Sequence, residues 1–169
     1  MLTQAGCLLG EAPEYQSRRQ TPPVLLSTRV EPKPERVIRV RTGEQVEFIV
    51  PYRSEDAGDT MTAFLYRNFQ VGAKSDYLAS INVPPSSNLY SDEGDPSQAL
   101  ITYSFANSDI GCNSYTMLLT HSSNIGTAQD ALAPKDDDLV VLVTWWAAVV
   151  NQSGEPADLL VDECGELPQ

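Results

Sequence analysis

The side chains that could do chemistry are few and scattered. His121 is the only histidine, and Ser122 and Ser123 follow it directly. A Ser/His hydrolase needs the imidazole seated on the nucleophile and a third group to orient it. No Gly-x-Ser-x-Gly elbow is present to raise a serine into that position. His121 shares its parity with Tyr115, Met117 and Leu119, so a hydrogen-bonded histidine at the edge of a core is expected instead. Carboxylates are plentiful, in runs at Glu55-Asp56-Ala57-Gly58-Asp59, Asp92-Glu93-Gly94-Asp95 and Asp136-Asp137-Asp138. Ca²⁺ takes roughly six to eight oxygens, and loops at the end of a sheet can supply them. None of the runs has EF-hand spacing, so Asp92, Asp95, Asp136, Asp137 and Asp138 are the residues to test and no other cofactor is expected. Nothing in the spacing fixes two carboxylates at a glycosidase separation, and no glycine-rich phosphate loop occurs.

The three cysteines are Cys7, Cys112 and Cys164, with no C-x-x-C or Cys/His cluster of the kind zinc needs. Cys112 and Cys164 both lie in polar, turn-rich settings, unlike buried structural thiols. A disulfide between them would close a loop of about 53 residues and stabilise the fold by roughly 4 kcal/mol. It would also place the chain in an oxidising compartment. Cys7 is left over. It closes Ala5-Gly6-Cys7 and precedes a polar stretch with Pro13, Pro22 and Pro23, a composition suited to a tether.

Apolar residues make up 41% of the 169-residue chain and charged residues 20%, as a chain with a real core requires. The net charge is −12, which works against nucleic-acid binding because Lys and Arg must displace condensed counterions there. The charge is uneven. Residues 1–67 hold nine basic and nine acidic side chains, whereas residues 68–169 hold only Lys74 and Lys135 against fourteen acids. No run approaches the roughly 20 apolar residues of a membrane-spanning helix.

The elements that must position these groups are short strands with period-two alternation. The candidates are Val24–Val30, Arg36–Arg41, Gln45–Val50, Met61–Phe69, Tyr77–Val83, Ala99–Phe105, Ser114–His121, Leu139–Val150 and Leu159–Val161. Thr42-Gly43-Glu44 reads as the turn of a hairpin between the second and third of them. On Tyr77–Val83, Tyr77, Ala79, Ile81 and Val83 are expected inward. The stretch from Ser122 to Asp138 is irregular, with a helical turn near Thr127–Leu132. About seven to nine strands and a bridged cysteine pair predict an antiparallel β-sandwich, immunoglobulin-like in topology. Leu139–Val150 is apolar on both parities and contains Trp145-Trp146, so at most one tryptophan points inside. The second face then needs a cover: the Ser122–Asp138 connection, the N-terminal segment or another chain. Trp145 and Trp146 therefore mark the expected interaction surface, for an envelope protein or a second copy.

Ala5-Gly6-Cys7 resembles the cleavage end of a bacterial lipoprotein signal, in which the cysteine becomes the lipidated first residue of the mature chain. Gln4 stands where Leu or Val is usual, and no Asp follows Cys7. The whole pattern is similar to outer-membrane lipoproteins of myxobacterium-like species. That resemblance implies attachment at Cys7, a place in the outer membrane or periplasm, and no particular activity. Residues 1–23 are then the signal end plus tether, and 24–169 the sandwich. The reading is a non-catalytic, lipid-anchored envelope domain that presents a surface to a protein partner. Its alternative is a Ca²⁺-dependent or carbohydrate-binding module.

Overall fold

The computed structural model describes residues 20–56, 58–70, 76–84, 96–126, 134–153 and Cys164. Eight strands are ordered β1 (Val24–Leu25), β2 (Ile38–Arg41), β3 (Gln45–Arg53), β4 (Met61–Arg67), β5 (Tyr77–Val83), β6 (Ser97–Ser104), β7 (Gly111–His121) and β8 (Val140–Val150). They form a three-stranded sheet, β1-β3-β6, and a five-stranded sheet, β2-β8-β7-β4-β5. The two sheets pack as a sandwich, because each offers its alternating apolar residues to the other.

The core is the set of inward positions. β3 contributes Phe48 and Val50, β4 Met61, Ala63 and Leu65, β6 Ala99 and Ile101, β7 Tyr115, Met117 and Leu119, and β8 Val143, Trp145, Ala147 and Val149. Trp145 is fully buried, its Nε1 donating to the Pro32 carbonyl at 2.6 Å. Phe48 reaches across from the other sheet, 4.8 Å from the Trp145 ring and 6.2 Å from Tyr115. Aromatic packing thus makes the cross-sheet contact that a disulfide makes in antibody domains.

Among the described strands, every pairing is antiparallel except one. β2 runs parallel to β8, with Ile38 opposite Ala147 and Arg41 opposite Val150. A first short strand in one sheet, followed by a second that joins the last strand in the other, gives the sandwich its immunoglobulin-like connectivity.

The hairpin expected around Thr42-Gly43-Glu44 does not form: β2 and β3 belong to different sheets. Gly43 N–H donates to the Phe105 carbonyl and Thr42 N–H to that of Val150, so the turn crosses between layers. Alternation shows which side of a strand meets the core, but not which neighbour completes its hydrogen bonds. Gly43 needs its residue type, since its φ is +88°.

Other boundaries moved for local reasons. The first strand is only Val24–Leu25, because the chain then turns through a 3₁₀ segment at Ser27–Arg29 before burying Val30. A register shift between Leu65 and Tyr66 in the β4–β5 ladder puts Tyr77 opposite Tyr66. Tyr77 therefore leaves the inward set and packs edge-on to Phe64 outside, 41% exposed, while Leu78 packs against the core. The expected strand Leu159–Val161 and helical turn near Thr127–Leu132 lie outside the described residues.

Candidate functional site

β7 spans the sandwich and carries a polar cluster at each end. At its start, Asp109 is fully buried and accepts from Arg67 Nη1 at 2.6 Å, Tyr103 Oη at 2.9 Å and Ala106 N–H at 2.7 Å. These bonds close the turn that feeds β7. Tyr103 has its pKa pushed up to about 12, by burial first and then by the Asp109 carboxylate. Burial and the same carboxylate raise Tyr115 too, although its hydroxyl lies outside hydrogen-bonding geometry.

At the other end, His121 closes β7 with its ring fully buried. Its Nε2 lies 2.9 Å from the Thr21 carbonyl and 3.3 Å from Asp56 Oδ2. A carbonyl can only accept, so this bond assigns the hydrogen to Nε2. Nδ1 has no hydrogen-bond partner and faces Asp59 Oδ2 at 4.0 Å. Asp56 also accepts from Thr21, at 2.7 Å from its N–H and 3.1 Å from its hydroxyl. Gln20 Nε2 donates to Asp59 Oδ2 and Ser123 Oγ. Gln20 and Thr21, which fall within the stretch expected as a tether, are thus bonded to the sandwich.

Beside this clamp opens a cleft of about 850 Å³ lined by Gln20, Thr21, Asp56, Asp59, Lys135 and Asp138, among others. Asn124 holds its far wall: its amide donates to the Thr120 hydroxyl and the Asp136 carbonyl, and its oxygen accepts from Asp136 N–H. Lys135 Nζ donates to the Ser123 carbonyl at 2.7 Å, which keeps its charge at the rim. The fold therefore brings the first and third acidic runs to one end of the sandwich.

The expected site residues separate as follows. Asp136 and Asp138 line the cleft; Asp137 does not, and Asp136 Oδ1 is engaged by Asp138 N–H. Among the described residues, no three His, Cys, Asp or Glu side chains are grouped to hold a metal ion. Cys7, Asp92 and Asp95 lie outside the described residues. His121 is the core-edge histidine its parity suggested, and among the described residues no serine is bonded to its ring. Ser122 Oγ is bonded to Thr62 Oγ1 at 2.6 Å, and Ser123 Oγ accepts from Gln20.

Cys112 and Cys164 form the expected disulfide, with Cα atoms 5.6 Å apart. It lies on the outer face of the five-stranded sheet, because Cys112 is opposite Ala148 and faces away from the core.

Of the tryptophan pair, Trp145 belongs to the core and cannot serve as a surface residue, leaving Trp146, which is half-buried on the outer face. That face is partly covered. Phe64, Tyr66 and Leu118 are 4%, 2% and 2% exposed, with Phe69 and Ile125 packed on them. Ile125 comes from the Ser122–Asp138 connection, one of the expected covers. Leu142, on the same face, stays 43% exposed.

Gln20, Thr21 and Asn124 were not singled out in the sequence. No motif marks them: Gln20 and Thr21 act through partners brought near by the fold, and Asn124 through Thr120 and Asp136.

No family model matches the chain, and no curated protein matches it either. Solved structures similar to it include a chitin-binding domain from Burkholderia pseudomallei, at 10% identity and a TM-score of 0.40, covering 68% of this chain and 57% of that one. This chain thus spans little more than half of that structure's length. Another is the RIG-5 IG1 homodimer, at 15% identity and a TM-score of 0.38, covering 76% and 98%. A third contains the superantigen toxic shock syndrome toxin-1, at 13% identity and a TM-score of 0.33, covering 67% and 92%.

Proposed function

We propose that this chain is a non-catalytic β-sandwich of the bacterial cell envelope. It is lipid-anchored through Cys7 and presents its outer sheet face to a protein partner. The observation that carries the reading is the Cys112–Cys164 disulfide, a bond that belongs to oxidising compartments. The Ala5-Gly6-Cys7 context and the proline-bearing stretch after it support attachment at the front of the chain. The half-buried Trp146 and exposed Leu142 support the outer face as the presented surface. The buried ring of His121, already held at Nε2 while the Ser122 and Ser123 hydroxyls are bonded to Thr62 and Gln20, supports a role without hydrolysis.

Intact mass of protein from the membrane fraction of its native host tests this. A mature chain that begins at acylated Cys7 and retains the disulfide is expected. An unprocessed chain with free thiols overturns the reading.

A Ca²⁺-dependent or carbohydrate-binding module is the second reading, favoured by the cleft whose lining includes Asp56, Asp59, Asp136 and Asp138. Calorimetry with Ca²⁺, repeated on Asp59→Asn and Asp138→Asn, decides it. Heat that both variants abolish supports it, and the absence of heat with the wild type removes the Ca²⁺ form. A glycan array showing no bound sugar removes the carbohydrate form.

A further inference from the structure

Among the described residues, four strands form the edges of the two sheets: β1 and β6 in one, β2 and β5 in the other. An edge strand offers unpaired N–H and C=O groups to other chains unless it is short, charged or broken by proline. β1 has two residues, and β2 has four, with Arg39 and Arg41 among them. β5 has seven residues and contains neither charge nor proline. β6 is uncharged too, but it keeps the alternation of a covered strand, with Ala99 and Ile101 buried between exposed neighbours. β5 does not. Ser80, Ile81 and Asn82 are exposed in succession, on both faces of the strand. Ile81 is opposite Ala63, which is fully buried in the core, and yet it stays 37% exposed. Water reaches this core-facing side chain from the side, so the sandwich is open along β5. The register shift in the β4–β5 ladder lies at the Tyr77 end, and pairing is regular from Ala79 to Val83.

We propose that β5 is a dimerisation edge whose occupant is β5 of a second copy, paired antiparallel about a two-fold axis at Ile81. Ile81 then lies against its own counterpart, Ser80 opposite the counterpart of Asn82, and Ala79 opposite that of Val83. Opposed residues share a face in an antiparallel pair. The core-facing side chains of the two copies therefore meet each other, and the polar pairs stay on the outer face. A two-fold contact needs a self-complementary patch of this kind. Charge favours a second copy as the occupant. The chain carries −12, so two copies repel overall, and β5 lets them meet along an edge with no charge on it. A charged segment of another protein would find no counter-charge there. The proposal rests on neither the lipid anchor nor the outer face as a binding surface.

Sedimentation velocity of the purified full chain, with Cys7 capped by iodoacetamide, tests this from about 1 μM to about 1 mM. One added strand pair is a small interface, so a dissociation constant of roughly micromolar order is expected. The 18.5 kDa monomer should give way to a dimer as concentration rises. Ile81→Lys places two like charges on the axis and should weaken the dimer by about tenfold or more, with the far-ultraviolet dichroism unchanged. Ser80→Lys should weaken it as well, and adding Asn82→Asp should restore it, because each lysine then faces an aspartate of the other copy. Should Ile81→Lys fail to fold, the Ser80 variants decide alone.

A chain that stays monomeric throughout overturns the proposal and leaves the edge to a strand of another protein. A dimer that both lysine variants retain overturns it too, and loss of that dimer in Leu142→Asp would put the contact on the outer face. Failure of Asn82→Asp to rescue Ser80→Lys would overturn the pairing about Ile81.

Discussion

Asp109 gathers three donors on a fully buried carboxylate. Replacing it with alanine leaves the Tyr103 hydroxyl and the Ala106 amide without their acceptor, and the Arg67 guanidinium with the Ser108 carbonyl but no carboxylate. Breaking a buried charged network by removing one partner costs about 3 kcal/mol or more. Asp109→Ala should therefore lower the urea midpoint clearly, with little change in slope. The tyrosines around it predict a pH limit. Tyr52, Tyr66, Tyr103 and Tyr115 all have raised pKa values, led in each case by burial. An unfolded tyrosine loses its proton near pH 10 whereas these keep theirs, so above that pH the folded state binds more protons. Stability should then fall as pH rises from about 10 towards 12. Absorbance at 295 nm followed against pH should show these rings ionising late, together with unfolding. The candidate site was only partly legible at this scale. Parity placed His121 at a core edge, and clustering marked the acidic loops. Thr21, however, acts through Asp56 and His121, which are 35 and 100 residues away in sequence, and Asn124 acts through Thr120 and Asp136, with no motif to mark the set.

Individual strands were the most readable elements, because inward and outward positions alternate along them wherever one face is buried. Phe48 and Val50, or Tyr115, Met117 and Leu119, could be assigned to the core from spacing alone. The pairing of β2 was not readable. Val40 points to the core whether its neighbour is β3 or β8, so parity cannot distinguish a hairpin from a link between sheets. Tyr77 failed for a different reason: the register shift beside it reverses the alternation within a single strand. The turn that joins the sheets carries a prediction of its own. Gly43 has φ +88°, and an added Cβ would meet Gln152 Nε2, the end of a flexible side chain, at 3.0 Å. The side chain can move but the backbone cannot, so Gly43→Ala should destabilise by about 1–2 kcal/mol through conformational strain. Thermal unfolding measures this. A loss confined to a few tenths would mean that the turn relaxes.

At the scale of the whole molecule, the fold is a sandwich closed by ladders and aromatic packing and then cross-linked from outside. In the loop-entropy model the Cys112–Cys164 bond contributes about 4 kcal/mol by restricting the unfolded chain. A domain of this size loses about 2–4 °C in Tm per kcal/mol. The Cys112→Ala/Cys164→Ala double variant should melt up to about 16 °C lower while keeping a single cooperative transition. Calorimetry would show two transitions if the bond instead organised a separate part of the core.

The parallel pair has a mechanical consequence. The chain enters the domain at the end where Asp56 grips Thr21, and β2 then runs alongside β8 towards the opposite end, where Cys112 holds Cys164. Tension drawn between those two ends would slide β2 lengthwise past β8. The hydrogen bonds from Ile38 to Arg41 would then have to rupture together, whereas a peeled ladder gives way one rung at a time.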